Sequence, residues 1–459
     1  MKSGLTIASP TWSASSEIRT WLAFIFLGGS LLFFSRSFTN YFVCYDYEFL
    51  GRMDLSTARQ YLTHTWGYGN EYRPLLAYSY TLDGAVSGYN PIGYHLTNTV
   101  LHTANALLVG LLAEVCGVPA AAALFVSLIL LLNPVAHESV LWIAGRPVVL
   151  SAFFVLLSAY SFLKAARPGH GSFKWWVAMY MSFVAGLLAY EGAAVLPLLV
   201  VLLLVFLPGS HPRWCFVHVA ILFLVLAAYM LAWNWFFGFR ITRFPVESSI
   251  LGALGSLGNA ITQSLHGSLR LIIAPVYVVI IAAVLRQQEG RKSALLSLGW
   301  FVIGYLPFFI VRGYADRFAY LSSVGTAFLL ASGLLALYQS KFKTLGLAMA
   351  AGLLAFYAIG MQNRITLWKE AGAIAFQIPR EIKALVPHLQ PGITLVVLNV
   401  PDMHTHAYVY LTGLERAIAL QYPGATFQIR RQLDQQAPVG PVFDYSTGHI
   451  REISRENQR

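Results

Sequence analysis

Apolar runs long enough to cross hydrocarbon, which takes roughly 20 helical residues, alternate with short polar stretches up to Met361, and the alternation then stops. The first run, Thr20 to Arg36, follows a polar start with Lys2 and Arg19. No small-residue cleavage site follows it, so it is expected to stay as a helix. Further runs cover Gly93 to Glu114, Val118 to Asn133, a stretch ending near Lys164, Trp175 to Tyr190, Ala193 to Phe206 and about Cys215 to Phe237. Others end at Arg286 and at Arg312, one covers Phe318 to Tyr338, and the last ends near Met361. The pattern predicts about eleven transmembrane helices. Two polar segments are too long for turns. Ser37 to Pro91 carries amphipathic pieces near Ser56 to Trp66, with Ser56 as a cap, and near Pro74 to Val86, both suited to lie flat on the membrane. Gly238 to His266 carries Arg240 and Arg243. From Gln362 proline, charge and β-like runs appear: a strand over Thr394 to Val400, a helix over Tyr408 to Gln421, a strand over Thr426 to Arg430, and a polar tail from Arg451. The expected architecture is an all-α polytopic membrane domain over residues 1–362 and a small extracytoplasmic α/β domain over residues 363–459.

Composition agrees. Of 459 residues 57% are hydrophobic and 11% charged, where a soluble domain carries roughly 25% charged residues. The net charge of +11 sits between apolar runs, so it fixes orientation and implies no nucleic acid. With eleven spans Lys2, Arg19, Lys164, Arg167, Lys174, Arg213, Arg286, Arg291, Lys292, Lys341 and Lys343 share one side, the cytoplasmic one; the N-terminus is inside and the C-terminus outside. Cys44, Cys116 and Cys215 have no metal-ligand spacing, and the topology predicts no disulfide among them.

Ionisable residues at membrane depth carry the candidate chemistry. Y-F-V-C-Y-D-Y-E-F-L, from Tyr41, leaves the first span and holds Asp46 and Glu48 among aromatics. A carboxylate there is costly to ionise. A catalytic base at Asp46 is one explanation and a solvated helix-end carboxylate the other. His95, Asn98, His102 and Asn105 share one helix face, either as interhelical hydrogen bonds or, at the outer end, as a cavity lining. His137, Glu138 and Arg146 lie between two spans, Glu191 at a break, and Asp316 with Arg317 at a span start. Together with Glu71, Arg73 and Arg312 they map to the outer boundary from different spans. A transporter gathers such groups near the midplane. A one-sided cluster under large outer loops suits an enzyme that takes one substrate from lipid and one from outside.

Five blocks recur in order: E-Y-R-P-L-L-A-Y-S-Y from Glu71, N-P-I-G-Y-H-L-T-N-T-V-L-H-T-A-N-A-L-L-V from Asn90, H-E-S-V-L-W-I-A-G-R from His137, E-G-A-A-V-L-P-L-L from Glu191 and A-D-R-F-A-Y-L-S-S-V-G from Ala315. Over most of residues 40–325 the chain resembles the GT-C superfamily of membrane glycosyltransferases, in the branch of the transmembrane and tetratricopeptide-containing protein O-mannosyltransferases and their bacterial relatives. That resemblance implies a GT-C-like fold and a sugar donor carried on a polyprenyl phosphate. It implies an inverting transfer to a hydroxyl of a protein or glycan acceptor, at the outer face of a bacterial inner membrane. The family's acidic pair after the first span is here Tyr45 and Asp46, which makes Asp46 the matching catalytic residue. Arg146, Arg317 and Arg73 become candidates for the donor phosphate, with His95 and His137 as hydrogen-bond donors. Glu48, Glu71, Glu138, Glu191 and Asp316 are expected in support. Arginines alone can neutralise a monophosphate, so neither metal nor cofactor is required. No tetratricopeptide repeats follow, and the small outer domain stands in their place. A transporter or flippase for lipid-linked sugars, or a non-catalytic scaffold that has lost the first acid, are the alternatives.

Overall fold

The computed structural model describes residues 16–50, 54–65, 71–166, 173–206, 213–238, 249–264, 270–309, 314–432 and 440–453. Lys2, Arg167, Arg240, Arg243 and Arg312, singled out above, lie outside the described residues. The apolar runs fold as helices Ser16–Phe34, Pro91–Val115, Ala120–Leu132, Arg146–Ala166, Phe173–Ala189, Leu196–Phe206, Arg213–Phe237, Arg270–Arg286, Gln288–Tyr305, Ser323–Tyr338 and Lys343–Leu385. Among the described residues five helices are long and apolar enough to cross a membrane, or up to six if the bent pair Ala120–Leu132 and Pro134–Val140 is one span; shorter apolar helices accompany them. Backbone polar groups are bonded within each helix, while Ile25, Leu224, Leu231 and Trp235 are exposed, an arrangement that hydrocarbon rather than water accommodates. The chain is a multi-pass membrane protein.

At one end of the bundle the helices give way to short irregular turns. Asn133 ends Ala120–Leu132 and its side chain accepts from Val135 N at 3.0 Å, while Pro134 opens the next turn, where its missing N–H costs nothing. The turns Pro134–Ala136, His137–Val140 and Asp316–Ala319 pack on one another, and Glu191–Val195 packs on Leu306–Phe308. These breaks carry His137, Glu138, Glu191, Asp316 and Arg317.

The amphipathic pieces behave differently from expectation. Pro74–Ser87 packs between Pro91–Val115 and Phe173–Ala189 and buries Leu76, Ala77, Tyr80 and Asp83, so it is a bundle element rather than a surface float. The second piece is the shorter helix Leu55–Gln60, capped by Asp54, not Ser56. One Asp54 oxygen accepts from Ser56 N at 2.7 Å and Thr57 N at 2.9 Å, which the geometry allows only one residue ahead of the first turn.

Beyond residue 362 the helix Lys343–Leu385 continues unbroken into the α/β part. There β1 (Ile393–Leu398), β2 (Met403–His404), β3 (Ala407–Tyr408), β4 (Phe427–Arg430), β5 (Val442–Asp444) and β6 (Arg451–Ile453) follow. The main sheet has the order β4-β1-β5-β6, parallel across β4, β1 and β5 and antiparallel at β6, with Leu395 opposite Ile429 and Val397 opposite Phe443. The first and second expected strands are β1 and β4. The expected helix Tyr408 to Gln421 is reduced to Leu414–Ala419, because Gly413 at φ 85° breaks the chain before it and Ala407–Tyr408 pairs with β2 as a hairpin.

Pro379 explains how this part is held. It sits inside the long helix and has no N–H for the carbonyl four residues back, Ala375. That carbonyl instead accepts from Tyr410 Oη at 2.6 Å and Tyr47 Oη at 3.3 Å, one from the α/β part and one from the loop after the first helix. Cys44 N also donates to Val409 O at 2.8 Å, and a Cβ on Gly413 would lie 2.3 Å from Cys44 O. Pro379→Ala should restore the helical N–H, displace the two tyrosines and speed limited proteolysis between the helix and β4 about fivefold, one lost net hydrogen bond's worth. Unchanged proteolysis would show that the carbonyl is not the anchor.

Candidate active site

Asp46 opens a one-turn helix, Asp46–Phe49, set by Cys44 in the left-handed region at φ 48°. It is 2% exposed. One carboxylate oxygen accepts from Val43 N at 3.0 Å and the other from Ala144 N at 2.8 Å, so it ties the first outer loop to the turn before Arg146. Burial pushes its carboxyl up to about 7, against the opposing pull of those two N–H groups and of Arg146. Such a carboxyl exchanges its proton near neutral pH. The Tyr45 ring lies 6.3 Å from that of Trp142, on the same turn as Ala144. Glu48 faces the α/β part, 3.6 Å from Arg416.

Arg146 lies behind this turn and is fully buried. Its Nε donates to Asn98 Oδ1 at 2.7 Å, Nη1 to the Ser79 carbonyl and hydroxyl at 3.2 and 3.4 Å, and Nη2 to Tyr94 O at 3.0 Å, while the same Nη2 forms an ion pair with the Asp83 carboxylate. The Tyr80 ring covers its face at 4.4 Å. Every nitrogen of the guanidinium is therefore engaged by the protein, which leaves the expected contact with a phosphate no free edge here. His95 is also buried and its Nε2 donates to Asn40 O at 3.0 Å, away from any surface. Deeper along the same face His102 bonds Tyr320 Oη at 2.7 Å and Leu131 O at 3.1 Å, and Asn105 donates to Val149 O and Tyr320 Oη. The polar stripe is engaged in hydrogen bonds to neighbouring helices and turns, at its outer end as well, rather than lining a cavity there.

The turns from separate helices bring the other residues together. Trp368 Nε1 donates to His137 Nδ1 at 2.8 Å. An indole offers only a donor, so Nδ1 holds a lone pair and the imidazole proton is on Nε2, which donates to Asp316 Oδ2 at 2.7 Å. Both His137 nitrogens are thus committed, and it too has no donor left for a phosphate. Burial works to raise the Asp316 carboxyl, but the His137 hydrogen bond and nearby Arg364, at 3.8 Å, hold it below its usual value. Glu138 accepts from Arg317 N at 3.2 Å and Nη1 at 3.0 Å. Arg317 Nη1 also donates to Tyr408 Oη at 3.1 Å, and the guanidinium lies 5.4 Å from the Trp142 ring. Its Nε and Nη2 have no partner among the described residues. The rings of Trp142, Trp368 and Tyr408 form a wall with centroids 4.8 to 6.2 Å apart. Alongside, Arg73 is held by Glu191, at 2.9 Å through Nε, and by Glu71 at 2.9 Å, with Tyr190 beneath it. Burial and the positive Arg364 push His406 below its usual value, so a neutral imidazole borders the cluster.

Of the expected site residues, His137, Glu138, Asp316 and Arg317 meet in one cluster, Glu71, Arg73 and Glu191 form a neighbouring triad, and Asp46, Arg146 and His95 sit behind it. The sequence reading missed Trp142, Arg364, Trp368, His406 and Tyr408. A signal existed for Arg364: it is a cation directly after the last apolar run, in Q-N-R-I-T-L-W.

No family model matches the chain. It is 32% identical to human protein O-mannosyl-transferase TMTC2 over 115 residues, 25% of this chain and 14% of that protein. It is 26% identical to human protein O-mannosyl-transferase TMTC4 over 210 residues, 39% of this chain and 28% of that one. It is 34% identical to the Drosophila melanogaster Tmtc2 protein over 142 residues, 29% and 14% of the two chains. The matched stretches thus span less than a third of these relatives. In structure it resembles ArnT from Cupriavidus metallidurans: TM-score 0.54 at 16% identity to the form bound to undecaprenyl phosphate, over 89% of this chain and 90% of that one. Against the apo form the TM-score is 0.52, over 90% of each chain. The fold is the GT-C-like arrangement expected from the sequence, with a small C-terminal sheet region.

Proposed function

We propose that this protein is an inverting glycosyltransferase that moves a sugar from a polyprenyl phosphate to a hydroxyl of a protein or glycan at the outer face of a bacterial inner membrane. The observation that carries the reading is Arg317. It offers an uncommitted guanidinium edge where turns from separate helices meet, beside an aromatic wall on which a sugar can stack. The shared fold with ArnT, whose structure contains undecaprenyl phosphate, and the likeness to protein O-mannosyl-transferases support the same donor class.

In this mechanism the acceptor oxygen attacks the anomeric carbon as the bond from that carbon to the phosphate oxygen breaks, with inversion. Asp46 takes the acceptor proton as the new bond forms. It lies just behind the Trp142–Ala144 turn, bonded to Ala144 N. Arg317, with Arg364 at the neighbouring Asp316, neutralises the leaving polyprenyl phosphate, and preorganised charge of this kind lowers the barrier most. Arg146, His95 and His137 act indirectly, by fixing the turns that carry Asp46 and Arg317. The Glu71–Arg73–Glu191 triad borders the cluster and keeps it charge-balanced. The basic short loops fix the cytoplasmic side, which leaves this end and the α/β part outside.

Full-length protein in liposomes, given labelled polyprenyl-phosphate sugars and outer-face acceptors, tests the reading. Wild type should transfer sugar, and Arg317→Ala should lower the rate per folded molecule about a hundredfold or more. Wild type that carries the lipid-linked sugar across the bilayer without ever transferring it would establish the flippase instead.

A further inference from the structure

The α/β part does more than dock on the membrane bundle, because its hairpin enters the cluster. Tyr408, on β3, accepts from Arg317 Nη1 and stands 4.8 Å, ring to ring, from Trp142. The hairpin is pinned on both flanks. Arg431 donates to Asp402, Val400 O and Tyr410 O, and His404 bonds Glu370 on the long helix at 2.9 Å. Tyr408 therefore has a fixed position relative to Arg317. It occupies one amino group of the guanidinium, Glu138 shares that group, and the opposite edge stays open.

A second observation points to the same place. The Trp142 indole is 5% exposed, and its Nε1 is buried without a hydrogen-bond partner among the described residues. A buried orphan donor is costly, so native structures rarely keep one without a water, ion or ligand to complete it. Trp142 lies against the guanidinium of Arg317, so the unsatisfied indole N–H and the unsatisfied arginine edge belong to one neighbourhood. Both are donors, and both suit an anionic oxygen.

We propose that Trp142 and Tyr408 complete the donor-phosphate subsite: Trp142 binds a phosphate oxygen through its indole N–H, and Tyr408 is a positioning residue that turns the free edge of Arg317 toward the same phosphate. The inference deepens the functional reading above and rests on it. It makes the α/β part a component of the donor site. The chemistry recognised is a phosphate ester, whether on a polyprenyl lipid or free in solution.

The test uses full-length detergent-solubilised protein and a short-chain polyprenyl phosphate without sugar, with inorganic phosphate as the second arm. Trp142→Phe keeps an aromatic ring and loses the N–H together with the fused five-membered ring, and Tyr408→Phe keeps the ring and loses only the hydroxyl. Each should weaken polyprenyl phosphate binding about tenfold, one charge-assisted hydrogen bond. Each should raise the donor KM by the same factor while the acceptor KM stays put, a pattern that a merely structural role would not give. Wild-type affinity in either variant overturns the assignment for that residue while leaving the transferase reading intact. Wild type that transfers sugar yet binds inorganic phosphate as well as the lipid phosphate overturns the lipid as the recognised source. Wild type that neither transfers sugar nor binds either phosphate overturns the functional reading and this subsite with it.

Discussion

Asp46→Asn is expected to lower the transfer rate about a hundred- to ten-thousandfold, the usual contribution of a positioned base. The substitution is not silent structurally. The Asp46 carboxylate accepts from Val43 N and Ala144 N with different oxygens. An amide supplies one acceptor and sets an N–H against the other backbone N–H, which costs about 1–3 kcal/mol. Rate loss alone is therefore ambiguous, and the pH profile resolves it. With the carboxyl held at about 7 by burial, wild-type transfer should climb as pH rises and level off above about 7. Stability should move the opposite way. The folded-state value stands above the ordinary 3.8, so between these two values the unfolded chain has released a proton that the folded chain keeps. The stabilisation is full below the lower value and is lost as pH rises through the higher one. In Asp46→Asn both slopes should vanish over that window, read by initial rates and unfolding midpoints across pH. A variant with wild-type rate and an unchanged profile would remove Asp46 from the chemistry.

Arg146→Met should instead cost about 3–5 kcal/mol of stability, the range for breaking one side of a buried ion pair. Asp83 would be left a buried anion with only Thr97 Oγ1, at 2.7 Å, as a donor, and Asn98 Oδ1 and Tyr94 O would lose their partner. The companion change Asp83→Leu should restore much of the loss, since an apolar pair of similar volume is often as stable as the ion pair. Unfolding midpoints of the two variants, with polyprenyl phosphate affinity per folded molecule, separate the roles. If Arg146→Met kept its midpoint and lost the ligand, Arg146 would belong at the phosphate and Arg317 would not suffice.

Those two arginines show what the sequence made legible and what it did not. Each follows an apolar run and opens a helix or turn, in A-G-R and A-D-R, and nothing local separates them. They differ in their carboxylates. Asp83 reaches Arg146 from a helix whose apolar and polar positions read as a surface piece, so its inward face was hidden until packing revealed it. The helical spans and the strands β1 and β4 were visible because their signal is periodic and local. The gathering of His137, Glu138, Asp316 and Arg317 was visible as a one-sided distribution, but their pairing depends on which turns touch. The β2–β3 hairpin left no trace. Its strands are two residues each, and the residue with positive φ in its turn is Thr405, at 56°, where glycine or asparagine would have announced it.

The helix Lys343–Leu385 carries 43 residues, about 65 Å at 1.5 Å each. Along that one rod Arg364 and Trp368 face the cluster, the Ala375 carbonyl receives the tyrosines, and Glu381 holds Ile450 N of the sheet. A rigid rod sets the phase of everything fastened to it. One residue gained or lost between two fastenings would swing the later one by about 100°. The spacing between cluster and sheet is therefore free to drift only in near-integral turns, and the screw pitch of a single helix acts as the ruler that keeps both halves of the protein in register.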